Sequence, residues 1–92
     1  MKFLPIADIE TALRIYYQYP EIGHKELKKL FSSISNSTLS KYMREIRRVQ
    51  AARNVKTCTM HSVNTRTAYE VMGIDVDDLE HRLAKLKKLG MR

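Results

Sequence analysis

In HKELKKLFSSISNSTLSKYMREIRRVQAAR, residues 24–53, two helical patterns are separated by a cluster of serines. Leu27, Leu30 and Phe31 stand at i, i+3 and i+4, an apolar stripe on a short helix that begins near Gly23 or His24. Ser32, Ser33, Ser35, Asn36 and Ser37 then crowd the next positions. Their side chains compete with helical backbone hydrogen bonds and serve well at caps and turns. Ser35 or Asn36 is expected to cap a longer helix covering about 36–53, with Asn54 a suitable left-handed terminator. At 100° per residue, Ile46, Gln50 and Met43 lie within about 40° of Leu39, and Tyr42 and Val49 widen that stripe into a core face. Ser37, Lys41, Arg44 and Arg48 lie within about 40° of the centre of the opposite face, with Ser40 and Arg47 on one flank.

The same stretch holds +6 of the chain's formal charge of +7, from eight Lys and Arg against Glu26 and Glu45. The first 23 residues sum to −1 and the last 39 to +2, so the basic character is local. A localised positive stripe on a helix points to a polyanionic partner.

Outward from this centre, Ile9, Ala12, Leu13 and Tyr16 recur at helical spacing behind Asp8, and Pro20 forbids continuation. A first helix over about Asp8 to Tyr19 follows. Residues Val55 to Val63 are rich in Thr, Val, Cys and Met, which favours extended backbone, yet they lack the turn pair of a hairpin. They are expected to be loop with a short strand, and a winged variant stays open. Asn64 can cap a short helix through Met72, Gly73 can supply a left-handed exit, and Asp75 can cap the next helix. Ile74 and Leu79 have the spacing of a hydrophobic staple, and Asp75 with Asp78 approximates a capping box. The last helix should run from Val76 to about Leu89. Its apolar stripe is Val76, Leu79, Leu83, Leu86 and Leu89, its first turn is acidic, and Lys85, Lys87 and Lys88 complement the dipole at its end before Gly90.

The expected fold class is all-α: a three-helix bundle over residues 8–54 with a C-terminal helical pair over 64–90, all within a single domain spanning 1–92. Ninety-two residues with 43% hydrophobic and 29% charged content can close one core. Cys58 is the lone cysteine, which rules out an intramolecular disulfide and a thiolate-rich zinc site. The apolar patch Phe3, Leu4, Ile6 is broken by Pro5 and followed by Asp8, unlike a signal peptide or membrane span. A cytoplasmic protein without membrane association is expected.

A helix about 10–12 Å across fits the major groove of DNA, where Arg can bridge guanine O6 and N7 and Ser, Thr or Lys can reach bases or phosphates. Residues near the start of the helix go deepest. Ser37, Thr38, Lys41 and Arg44 are therefore the candidates for the groove floor and walls, and Arg47 and Arg48 for flanking phosphates. Lys25, Lys28 and Lys29 on the preceding helix are placed to add backbone contacts.

The run Ile34, Ser35, Asn36, Ser37, Thr38, Leu39, Ser40, Lys41, Tyr42 resembles the turn and recognition-helix start of the helix-turn-helix superfamily of bacterial and phage DNA-binding proteins, over about a third of the chain. Ile34 and Leu39 keep that family's five-residue separation between an apolar turn residue and an apolar recognition-helix residue. Where a single Gly is typical, this chain has Ser32 and Ser33, which predicts a longer turn. The resemblance implies sequence-specific binding of double-stranded DNA by a small transcriptional regulator or an accessory factor in DNA transactions. A second stretch, Met72, Gly73, Ile74, Asp75 through Leu79, resembles the same turn with its Gly. There Asp75, Asp77, Asp78 and Glu80 would repel phosphates, so that copy reads as structural or protein-binding.

Rival readings rest on other residues. A protein-interaction adaptor or inhibitor of a regulator would use the acidic C-terminal helix, and structured RNA would also suit the basic patch. Two copies pairing through the helix Val76 to Leu89 would make a homodimer, since its leucine spacing suits either domain closure or a two-fold seam. Cys58 and His61 have no second ligand pair, so no metal or other cofactor is expected. His24 reads as a helix-start residue and His81 as a surface residue. The tyrosines at 16, 17, 19, 42 and 69 are read as packing residues before base-stacking ones. No nucleophile context, paired catalytic carboxylates or glycine-rich phosphate cradle points to an enzyme.

Overall fold

The computed structural model describes residues 3–31, 33–58 and 61–90, and these are mostly helical with one small antiparallel ribbon. The elements are α1 (Ile9–Gln18), β1 (Glu21–Ile22), α2 (His24–Leu30), α3 (Asn36–Ala52), β2 (Val63–Asn64), α4 (Thr65–Val71) and α5 (Val76–Lys88). Their boundaries follow from local chemistry. Asp8, Ser35, Asn64 and Asp75 each stand in extended backbone ahead of a helix and accept the N–H of the third residue onward, that of Thr11, Thr38, Thr67 and Asp78. Each satisfies one of the donors that a helix start leaves without an intrahelical partner. For α2 the bond runs the other way, as the Glu26 carboxylate accepts the N–H of Gly23 at 2.9 Å. The exits are equally local: Asn54, Gly73 and Gly90 take positive φ of 60°, 72° and 72° after α3, α4 and α5.

The core sits where α1, α2, α3 and α4 meet, closed on one side by the first turns of α5. Leu27 and Leu30 from α2 face Leu39, Tyr42, Met43 and Ile46 from α3, all nearly inaccessible. A buried aliphatic such as Leu39 or Ile46 contributes about 1.5–3 kcal/mol relative to an exposed one, so this face fixes α3 firmly against the body. Phe3, Phe31 and Tyr42 form an aromatic cluster, with ring centroids 4.5 Å apart for Phe3 and Tyr42 and 5.6 Å for Phe31 and Tyr42. The Tyr42 hydroxyl accepts the N–H of Leu4 at 2.9 Å, tying the N-terminal segment down. Across the core, buried Tyr69 donates its hydroxyl to the carbonyl of Ala12 at 2.6 Å and so joins α4 to α1. The expected α5 stripe is used for closure: Leu79 is buried, Val76 and Leu83 pack on the core, and Leu89 is 66% exposed.

The helical content fits the expected class, and a short strand begins at Val63, the end of the segment expected to hold one. The chain is not wholly helical, because β2 pairs antiparallel with β1 in the register Ile22 to Val63 and Glu21 to Asn64. A wing would need a hairpin after α3; among the described residues the partner of β2 lies instead between α1 and α2. Gln50 anchors this ribbon to α3. Its buried side chain accepts the N–H of Asn64 at 2.5 Å, while its own carbonyl accepts the N–H of Val55. No helix among the described residues is long and apolar enough to cross a membrane.

Candidate nucleic-acid interface

Because the aliphatic edge of α3 is committed to the core, helical periodicity turns its other edge outward. Ser37, Ser40, Lys41, Arg44, Arg47 and Arg48 are all exposed, and Thr38 is partly covered. Lys25, Lys28 and Lys29 are exposed on α2, which packs against α3. Every cationic candidate read from the sequence therefore lies on the surface of this helix pair. Residues 31–35 connect the two helices, with Phe31 buried and Ile34 packed on the core. Ser32 lies outside the described residues.

The start of α3 is organised by local hydroxyl contacts. The Ser35 hydroxyl caps Thr38 N–H at 3.2 Å and lies 2.9 Å from Thr38 Oγ1 and 3.2 Å from Ser37 Oγ. These contacts gather Ser35, Ser37 and Thr38 into a hydroxyl cluster at the start of α3.

The cations differ in how they are held. Among the described residues no carboxylate forms an ion pair with Lys25, Lys28, Lys29, Lys41, Arg44 or Arg47. Arg48 is different, since the Glu45 carboxylate takes its Nη2 at 2.5 Å and its Nε at 3.1 and 3.2 Å. The guanidinium's hydrogen bonds hold the Glu45 carboxyl below the usual carboxylate range, and Glu45 in turn raises Arg48. Arg48 thus has its Nε and Nη2 engaged by Glu45, while its side chain stays 68% exposed. Arg53, at the far end, pairs with Glu70 of α4.

Periodicity alone missed two groups beside this face. His24 lines a shallow cleft of about 320 Å³ with Ser40, Met43, Arg44 and Arg47. It also lines an adjoining one of about 410 Å³ with Gly23, Lys25, Glu26, Arg47 and His61. His24 and His61 are far apart in sequence, and the tertiary packing around the β1–β2 pair brings them to the same cleft as Arg47. Cys58 is exposed, and no group of three or more His, Cys, Asp or Glu side chains gathers among the described residues.

The acidic corner is largely occupied by its own neighbours. Asp75 caps α5, Asp78 pairs with Arg82 at 3.0 Å, and Glu80 accepts the Tyr17 hydroxyl, raising that phenol above its ordinary range. No protein-family model, curated protein or solved structure matches this chain.

Proposed function

We propose that this protein binds double-stranded DNA in a sequence-specific manner by laying α3 in the major groove, as a small transcriptional regulator or an accessory factor in DNA transactions. The observation that carries the proposal is the outward edge of α3. It presents Lys41, Arg44 and Arg47 without carboxylate partners among the described residues, on a helix locked to the core by Leu39, Met43 and Ile46. With 17 residues α3 is about 25 Å long, and its width of about 10–12 Å matches the groove's ≈ 12 Å. In this reading α2, residues 31–35 and α3 form a helix-turn-helix whose turn exceeds the usual 3–4 residues by roughly one. Ser37, Thr38, Lys41 and Arg44 read bases, Arg47 and Arg48 hold flanking phosphates, and Lys25 and Lys28 hold the backbone from α2.

The adaptor reading has less behind it, because three of the four acids it would use already serve a cap, an ion pair and a tyrosine. Should the protein bind as a homodimer, Leu86 on α5 and Leu89 at its C-cap are the stripe residues not taken up in the core.

The test is titration of duplex DNA across salt concentrations with wild type and Lys41→Ala/Arg44→Ala. If four to six phosphates are neutralised, wild-type affinity falls by about two to three orders of magnitude between 50 and 200 mM salt. The double variant loses two base-reading side chains, so it weakens binding and relaxes the sequence preference, while the slope set by the phosphate contacts changes little. Unchanged affinity and sequence preference in the variant reject the assignment. Duplex RNA serves as competitor, since the deep, narrow major groove of A-form helices does not admit α3; equal competition would favour RNA.

A further inference from the structure

We propose that His24, Lys25, Arg47 and His61 form a phosphate-binding cleft flanking α3, which grips the DNA backbone more tightly when its two imidazoles are charged. This inference rests on the DNA-binding reading above and extends its footprint to His61, just ahead of β2. The two adjoining clefts share His24 and Arg47, so they form one trough running from the outward edge of α3 to the start of α2. Three cations, Lys25, Arg44 and Arg47, line it beside the imidazoles.

The carboxylates around the trough are turned to structural tasks. Glu26 is the one that lines it, and its Oε1 accepts the Gly23 N–H. Glu21 on β1 accepts the Cys58 N–H and the Ser62 hydroxyl, both at 2.8 Å, which holds the loop carrying His61 in place. His61 lies directly against α2's start, since a Cβ added at Gly23 would stand 3.5 Å from the His61 carbonyl oxygen. The charged groups around the imidazoles are thus Lys25 and Glu26 from α2 and Arg44 and Arg47 from α3, with Glu21 of β1 holding Ser62 next to His61, a cationic majority. Such a surface attracts a phosphodiester in either imidazole state. Histidine is the side chain that ordinarily changes charge between pH 5 and 8, so protonation adds up to two cations to the trough. His81, exposed on α5, offers an internal control.

The experiment is anisotropy of a duplex of about 20 base pairs carrying a pH-insensitive dye, titrated with the full chain between pH 5.5 and 8. Wild type is expected to bind about tenfold tighter at pH 5.5 at 0.1 M salt, with a log–log salt slope steeper by roughly 1 to 2. His24→Gln/His61→Gln abolishes that gain, whereas His81→Gln, away from the cleft, leaves it intact. Imidazole resonances of the wild type give a second readout that needs no variant: those of His24 and His61 shift on adding duplex and that of His81 does not. A pH-independent affinity, a gain that survives in the double variant, or unmoved His24 and His61 resonances overturn the cleft while DNA binding stands. Absence of duplex binding at every pH overturns the DNA-binding reading itself.

Discussion

Replacing Gln50 with Met keeps the approximate length and volume of the side chain while removing its amide, and with it the Oε1 acceptor. Gln50 is 6% exposed, and its Oε1 takes the N–H of Asn64 at 2.5 Å, the bond that fastens β2 to α3. Removing an acceptor from a backbone donor costs about 1–3 kcal/mol when the donor is left dry. Asn64 is only half-buried, so water recovers part of this and the expected loss is about 1–2 kcal/mol. The thioether restores apolar burial and adds no cavity, which keeps the measurement to the hydrogen bond. For a domain of this size each kcal/mol lowers Tm by roughly 4–8 °C, so a drop of about 5–15 °C is expected. Urea unfolding followed by far-UV circular dichroism gives the free energy. Hydrogen exchange at the Asn64 amide gives the local effect, with loss of protection there ahead of the α3 core amides. A change under about 0.5 kcal/mol with the Asn64 amide still protected would refute the role assigned to Gln50.

Two further perturbations probe separate parts of the molecule. Glu45→Gln releases Arg48 and removes a negative charge from the cationic edge of α3; DNA affinity at 0.1 M salt should rise about five- to tenfold with a slope steeper by roughly 1, and an unchanged isotherm would place Arg48 away from the DNA. Tyr69→Phe deletes the bond to Ala12 and should cost about 1 kcal/mol in chemical denaturation at neutral pH. Burial, chiefly, and the nearby Tyr16 push the Tyr69 phenol above its ordinary value. The folded state therefore favours the neutral form, and this contribution is intact below about pH 10 and lost as pH rises further toward the folded value. Wild type should lose stability more steeply than Tyr69→Phe above about pH 10, and parallel profiles would contradict the assignment.

What the sequence made legible is what local chemistry encodes. Short polar side chains at Asp8, Ser35, Asn64 and Asp75 cap helices because they reach a backbone N–H three residues on, and that reach depends on nothing distant. The positive φ of Asn54, Gly73 and Gly90 and the buried stripe from Leu39 to Gln50 are local in the same sense. The ribbon was not legible, since two residues per strand carry no alternation and Ile22 meets Val63 only through the packing of the helices between them. Gln50 was placed on the core face by its angle, yet its partner comes from that ribbon and could not be named. The candidate surface shows the same division. Periodicity put Lys41, Arg44 and Arg47 outward, but it treated Arg48 as an equal member, although Glu45 stands three residues away and binds it. His24 and His61 meet only through tertiary structure, so helix angles gave no sign of their cleft.

Backbone amide shift mapping of the labelled protein with unlabelled duplex DNA tests the central claim most directly. The account predicts the largest perturbations at Ser37, Thr38, Lys41, Arg44 and Arg47, with a second group at Lys25 and Lys28, and little change along α5. Perturbations gathered at Asp77, Glu80, Leu86 and Leu89 with α3 silent would contradict it.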